Sequence, residues 1–351
     1  MICFPDKAYD WWLAGRTGTG ANEDGNLTSL VASRISPGRP PHAPLVSVVM
    51  GVYNGMPHLD YAIDGILGQS LDAFELIVVN DGSTDGTREL LAQYAARDRR
   101  VRVIDQPNQG LTRALIRGCD AARGRYIARH DHADWSHPER IEQQVALFES
   151  QAEIALVSCW TRLYAPEGEA LRVVDRDDEA DETRFRASDR LPAVSHPGSV
   201  VFRAADYHRV GGYRREFYVA QDRDLWMRLT ERGIVGFVPA VLYHARTATA
   251  AVPCPHAAVR KQLIRIIGQL SAVRQQGGDE RPGLAAAAEL RPGGSGWREA
   301  SPGTRDYRVG RVLRSRGRPR QAEQYFRRAV RVNPYHLPAR IALLGHALHL
   351  W

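Results

Sequence analysis

The sequence predicts an α/β fold, a mostly parallel, Rossmann-like sheet with helices on both faces, followed by an α-helical C-terminal region. Three observations carry that expectation. Apolar strand-like runs alternate with helix-period segments from Val46 to about residue 160, the pattern of β-α units whose strands are covered on both sides. The alternation breaks down beyond Pro192. From residue 255 onward the sequence shows helical periods separated by Gly and Pro.

Residues 1–43 are rich in Gly, Pro, Asn and Ser without a sustained period, and are expected to form a poorly ordered or loosely docked leader. VSVVMGVY is the first strand, followed by a helix with Leu59, Ile63, Ile66 and Leu67 on one face. FELIVV precedes a helix carrying Leu90, Leu91 and Tyr94, and RVRVI precedes a helix over 111–123. RYIAR leads to a helix with Ile141, Val145 and Phe148, and then to EIALVSC. Ser136-His-Pro-Glu139 fits a capping box with Pro138 in the first turn, which leaves Asp131 to Asp134 in the turn between a buried strand and a helix. GSVVFR, a Gly211-Gly212 turn, the helix QDRDLWMRLTERG and IVGFVPAVLY suggest an α+β cap that completes the sheet.

Residues 255–276 predict a helix with Val259, Leu263, Ile266, Leu270 and Val273 as an apolar stripe, flanked by Arg260, Lys261, Arg265 and Arg274. The stripe either packs on the preceding domain or lies on an anionic membrane surface. Residues 277–304 read as a linker around a short Ala-rich helix. In 305–351, Gly310, Leu313, Gly317, Ala322, Phe326, Ala329 and Pro334 fall at the small and aromatic positions of one tetratricopeptide-like repeat, followed by a partial helix. A single repeat cannot bury its own face, so it must pack on the main domain, on itself or on a partner.

Composition narrows the function. No run approaches the 18 apolar residues of a membrane span, and the N-terminus carries Asp and Lys where a secretory signal is apolar. The chain is therefore expected to be cytoplasmic, with peripheral contact at the inner face of the plasma membrane if the basic helix meets lipid. Cys3, Cys119, Cys159 and Cys254 lie far apart, so neither a disulfide framework nor a thiolate zinc site is indicated. The formal charge of +7 is concentrated: residues 255–351 hold about 18 Arg and Lys against about 6 acids. RVLRSRGRPR lacks the interleaved aromatics of a nucleic-acid site. It reads as a solvated helical face and as a docking surface for an acidic protein partner.

In a doubly wound sheet, ligands bind beyond the carboxyl ends of the strands. Asn54, Asn80-Asp81 and Asp131 arrive there after the first, second and fourth strands, and NDGSTDGT turns into a helix N-terminus. Together they describe a site for a charged, nucleotide-like ligand.

VSVVMGVYN, FELIVVNDGSTDGT, NQGLTRALIRGCDAARGRYIARHDHADWSHPER, SHPGSVVFR and GGYRREFYVAQDRDLWMRL resemble, in order and spacing, the family 2 inverting glycosyltransferases of GT-A fold. The likeness spans about residues 45–246 and implies a GT-A domain over 44–254. It implies that Tyr53, Asn54 and Asp81 hold the base and ribose of a nucleoside-diphosphate sugar, with Arg113 as a further contact. The turn at Asp131 resembles the DXD element, whose carboxylates bind Mg²⁺ or Mn²⁺ on the donor diphosphate. This chain departs from that pattern, because Ala133 stands where the second acid is expected. Three readings stay open: Asp134 turns inward and replaces it, His132 ligates and favours Mn²⁺, or basic groups and helix termini hold the diphosphate without metal.

QDRDLW resembles the family's E-D-x-D-L-W segment, which implies Asp222 as the general base beside an apolar wall such as Trp226, with Gln221 in place of the usual Glu. Asp224 reads as a helix-start acid. His196 and Gly212 sit where the family lines its acceptor and donor-sugar pocket, while His244 has no secure register. The implied activity is transfer of a sugar to a hydroxyl of a glycan or lipid-linked acceptor in cell-surface polysaccharide or glycoconjugate synthesis. The alternative is a catalytically weakened nucleotide-sugar-binding scaffold acting through the C-terminal repeat. A nucleotidyltransferase ranks lower, since GVYNGMPHLD has no basic residue after the first strand.

Overall fold

The computed structural model describes residues 44–175, 194–247 and 255–347; the expected leader lies outside them. Strands β1 (Val46–Val52) and β2 (Phe74–Asp81) are buried along their whole length. Between them runs helix α1 (Leu59–Leu67). After α2 (Thr87–Arg97) and β3 (Val101–Gln106) come α3 (Leu111–Asp120) and β4 (Tyr126–Arg129). β1 pairs in parallel with β2 and β4, and β2 in parallel with β3.

The two faces of β1 are covered by different helices, as side-chain alternation requires. Val46, Val48 and Met50 share a buried cluster with Ile63 and Ile66 of α1, and Val49 shares another with Leu115 and Cys119 of α3. Gly118 permits the closeness on the second face: a Cβ there would sit 2.5 Å from Val49 Cγ1. Each fully buried aliphatic side chain contributes roughly 1.5–3 kcal/mol, so these faces dominate the stability of the sheet.

Next follow β5 (Trp135–Ser136), α4 (Arg140–Ser150), β6 (Ile154–Tyr164) and β7 (Ala170–Val174). The α+β cap comprises β8 (Val201–Arg203), α5 (Ala204–Arg209), α6 (Gln221–Thr230) and β9 (Ile234–Arg246). The strands form one sheet in the order β3-β2-β1-β4-β8-β6-β9-β5, with β7 beside β6. β8 is antiparallel to both β4 and β6, so it joins the parallel half to the cap.

The expected capping box does not form. α4 begins at Arg140 after Glu139, with no side-chain cap, and Ser136 instead belongs to β5, paired with Tyr243 of β9. Recruitment of Trp135 and Ser136 into the sheet keeps the chain extended where the helix was expected to start.

The C-terminal region comprises α7 (Ala257–Gln275), α8 (Arg281–Ala288), α9 (Thr304–Ser315), α10 (Pro319–Val332) and α11 (Leu337–Ala347). The stripe of α7 is buried against Phe217, Met227 and Leu290. That burial overturns the membrane reading of this helix, whose apolar face is covered by protein. Among the described residues no helix is long and apolar enough to cross a membrane.

The segment read as a linker is docked as well: Glu280 accepts from Arg214 at 2.9 and 2.7 Å and from Arg274 at 2.5 Å. α9 and α10 form a hairpin in which a Cβ at Gly310 would lie 2.5 Å from the Phe326 ring. The hairpin packs on the loop between β6 and β7. Val309, Leu313 and Tyr325 join Ala165 and Leu171 in one cluster, and Tyr325 Oη donates to Glu169 Oε2 at 2.8 Å.

Candidate functional site

The carboxyl ends of β1 to β4 gather most of the expected site. Tyr53 is 45% exposed just past β1. Asn54, at φ 51°, ties this turn to the next one: its N–H donates to Ser83 Oγ at 3.0 Å and its Oδ1 accepts from Thr84 N at 2.8 Å. Asp81 is buried and accepts from Gln106 Nε2 at 2.7 Å and from the backbone N–H groups of Gln109 and Gly110 at 2.8 Å each. It therefore fixes the loop leading into α3. Arg113 is exposed on that helix, its Nη1 3.4 Å from Gln109 Oε1.

The second group centres on the turn after β4, which closes with Asp134 N donating to Asp131 O at 3.1 Å. Ligand atoms of Asp131, Asp134 and His196 all lie within 4.8 Å of one another. Asp134 is the acid that turns inward, held by Tyr243 Oη at 2.8 Å and by Arg246 N at 2.9 Å. His196 enters from the loop before β8, its Nδ1 accepting from Gly198 N at 3.2 Å and its ring stacked on Tyr243. A side chain at Gly198 would collide with Tyr243, so glycine is required for this packing. His132 lies outside the cluster and bonds to the Gly51 backbone. The histidine that joins the two acids is His196 instead.

The charges in this cluster are unequal. Burial works against ionisation of Asp131, but Arg129, whose Nη2 donates to Asp131 Oδ1 at 2.9 Å, outweighs it together with His196 and holds the carboxyl down at about 2. Burial, reinforced by the charge of Asp131, pushes Asp134 well above the usual carboxylate range despite its two donors. Burial also lowers His196, leaving the neutral imidazole that a metal needs. Two carboxylates and one imidazole form a donor set suited to a divalent cation, and the nitrogen favours Mn²⁺ over Mg²⁺.

The start of α6 supplies the third group. Ala220, at φ 62°, precedes the helix, and Asp222 is half-buried with Oδ1 accepting from Arg223 N at 2.9 Å. The charge of Asp222 acts on both Arg129 and His196. Asp224 is fully buried against Arg228, at 2.5 Å, and Arg214, at 3.6 Å.

The expected pocket residues divide. His196 is brought to the centre. Gln221 is buried at the start of α6, and Trp226 is buried in the core beside Leu156 and Phe202. Gly212, at φ 66°, allows the turn to close against Tyr207. Trp226 and Gly212 thus support the site from behind rather than line it. His244 stays outside the cluster, packed on Trp135 with ring centroids 4.8 Å apart, and burial lowers it to about 3.

Sequence reasoning missed Arg129 and Tyr243, the two side chains that organise the acids. A charged residue ending the apolar run YIAR was the available signal for the first; Tyr243 gave none.

Residues 47–207 match the family described as Glycosyl transferase family 2. EpsE of Bacillus subtilis, named as a glycosyltransferase, is 36% identical over 219 residues, covering 58% of this chain and 73% of EpsE. Chondroitin synthase of Pasteurella multocida is 25% identical over 201 residues, but this chain spans only 20% of its length.

Among solved structures, the mannosyltransferase PcManGT of Pyrobaculum calidifontis, in complex with GDP-Man and Mn²⁺, matches with a TM-score of 0.52 at 18% identity, covering 98% of this chain and 88% of that one. Staphylococcus aureus TarS 1–349 in complex with UDP matches with a TM-score of 0.51 at 13% identity, over 87% and 91% of the two chains. These likenesses show a shared GT-A-like fold. With the family match and the extent of the likeness to EpsE, they lead to one conclusion: the chain belongs to glycosyl transferase family 2 and is a glycosyltransferase.

Proposed function

We propose that the protein transfers a sugar, with inversion, from a nucleoside diphosphate to a hydroxyl of a glycan or lipid-linked acceptor in cell-surface polysaccharide or glycoconjugate synthesis. The observation that carries this reading is the convergence of Asp131, Asp134 and His196 within 4.8 Å, with the charge of Asp222 acting on His196. The name of the Pasteurella relative supports a polysaccharide product. The titles of the two structural neighbours, with GDP-Man and UDP, support a nucleotide-linked donor.

In this reading Tyr53, Asn54, Asp81 and Arg113 form the nucleotide side. Asp131, Asp134 and His196 would hold Mn²⁺, or less favourably Mg²⁺, and such a cation offsets charge growing on the leaving diphosphate. Asp222 takes the proton of the acceptor hydroxyl as its oxygen attacks the anomeric carbon from the side opposite the leaving group. Arg129 donates to Asp131 and also responds to the charge of Asp222. Residues 44–254 do the chemistry, while 255–351 brace the fold and present a tetratricopeptide-like unit to a protein partner.

The scaffold alternative rested on Ala133 and Gln221 as marks of an eroded centre. Asp131, Asp134 and His196 form a three-residue donor set without an acid at 133. The test is the anomeric configuration of the product, read by proton NMR during turnover. Inversion with loss of turnover in Asp222→Asn is expected; a product that retains the donor's configuration would overturn the mechanism.

A further inference from the structure

Arg140, the first residue of α4, is the largest side chain that the described fold buries completely, at 0% exposure. A guanidinium keeps its charge at any ordinary pH, so burying one is costly unless acceptors surround it. The acceptors here are two carbonyls and a ring rather than a carboxylate. Nη1 donates to Gly198 O at 2.8 Å and to Arg129 O at 3.2 Å, and the guanidinium carbon lies 5.2 Å from the centre of the Tyr243 ring. Among the described residues its Nε and Nη2 have no hydrogen-bond partner.

Each of these contacts falls on a segment that supplies or holds a member of the acid cluster. Arg129 ends β4, two residues before Asp131, and Gly198 lies two residues after His196. Tyr243 Oη donates to Asp134 at 2.8 Å and accepts from Asp131 N at 3.1 Å. One side chain therefore touches the supports of all three donors.

Gln144, one turn further along the same face of α4 and also 0% exposed, adds to the grip. Its Nε2 donates to Ser199 O at 2.7 Å and to Val157 O of β6 at 3.2 Å, while Ser199 Oγ donates to His196 O at 2.7 Å. The strands are already joined without these side chains. Arg129 N donates to Val200 O at 2.9 Å, and β4 pairs with β8 through the backbone.

We propose that Arg140, backed by Gln144, is a positioning residue that sets the spacing of Asp131, Asp134 and His196 at which the three accept a divalent cation. The inference rests on the cation-site reading above. If Arg140 served packing alone, methionine would replace it, since apolar side chains of similar volume often substitute for buried ions without loss of stability.

The test is paramagnetic resonance of free Mn²⁺ during titration of the full chain, with urea unfolding to report that each variant is folded. Arg140→Met is expected to weaken Mn²⁺ binding at least about tenfold, as loss of a group that orients metal ligands does. Arg140→Lys should fall between the two, because its ammonium still donates to carbonyls. Arg228→Lys is the control: Arg228 is equally a buried arginine, at 2% exposure, but its partner is Asp224. That variant should lose stability and keep wild-type Mn²⁺ affinity.

A folded Arg140→Met with wild-type affinity would overturn the assignment. So would an Arg140→Lys that binds no more tightly than Arg140→Met, or an Arg228→Lys that loses as much affinity as Arg140→Met. If Arg140→Met does not fold, Arg140→Lys decides, and wild-type affinity in that variant would overturn the assignment. Failure of the cation-site reading itself would appear differently, as absent Mn²⁺ binding in wild type, and would remove this role with it.

Discussion

The turn at Asp131 and the start of α6 each present two acids within four residues, yet the fold uses them in opposite ways. Asp131 and Asp134 converge on one point with His196. Asp222 and Asp224 diverge, because residues two apart on a helix project about 200° from each other. One stays half-buried; the other is driven into the core against Arg228 and Arg214. An acid's role here follows from backbone geometry around it, not from its presence in an acidic segment.

The sharpest way to break that contrast is to neutralise each acid of α6 in turn. Asp222→Asn is expected to lower kcat by roughly 10²–10⁴-fold, the usual contribution of a general base, with the donor Kd unchanged. Asp224→Asn should act on stability instead, costing about 3–5 kcal/mol because Arg228 is left buried without its charge partner. Urea unfolding read against steady-state kinetics of the folded fraction separates the two. The contrast fails if Asp224→Asn is as stable as wild type, or if Asp222→Asn unfolds while its folded fraction turns over normally.

A smaller effect sharpens the other half. His196→Ala is expected to weaken Mn²⁺ binding at least about tenfold, the lower end of what disturbing a metal site costs, whereas His132→Ala should leave it unchanged. Paramagnetic resonance of free Mn²⁺ reads both. The reverse ranking would return the ligand role to His132.

Much of this was legible before any coordinates. The parallel strands and their covering helices followed from periodicity, and so did the positions of Asp131 after a strand and Asp222 at the start of a helix. Asp134 was one of three open readings for the Ala133 departure, and choosing it required the backbone bonds that aim it inward. His196 was legible as a pocket residue but not as a partner of the acids, since about 60 residues separate them along the chain. The capping box misled because a local pattern at Ser136 lost to pairing with a strand about 100 residues away. The stripe of α7 was legible as a stripe; what covers it depended on Phe217 and Met227, which no local window contains.

The bracing of the C-terminal region offers the smallest expected effect. Glu280 holds α8 to Arg214 and Arg274, and these partners lower its carboxyl against the opposing pull of burial. Glu280→Gln is expected to cost about 1–2 kcal/mol, as a partly exposed charged hydrogen-bond set does. A group with a depressed folded pKa contributes stability above its unfolded value, near 4.5, and that contribution is lost as pH falls through the folded value. The gap between wild type and variant in thermal melts should therefore be full at neutral pH and close as the pH drops below about 4. A gap that widens on acidification would contradict the clamp.

The central claim is that Asp131, Asp134 and His196 hold a divalent cation despite Ala133, and so connect the donor diphosphate to Asp222. Calorimetric titration with UDP, dTDP and GDP, each in Mn²⁺ and in EDTA, tests it most directly. The account predicts that one of the three binds in Mn²⁺ at least tenfold more tightly than in EDTA, and that Asp134→Asn removes the difference. Nucleotide binding of equal strength in Mn²⁺ and EDTA would contradict it.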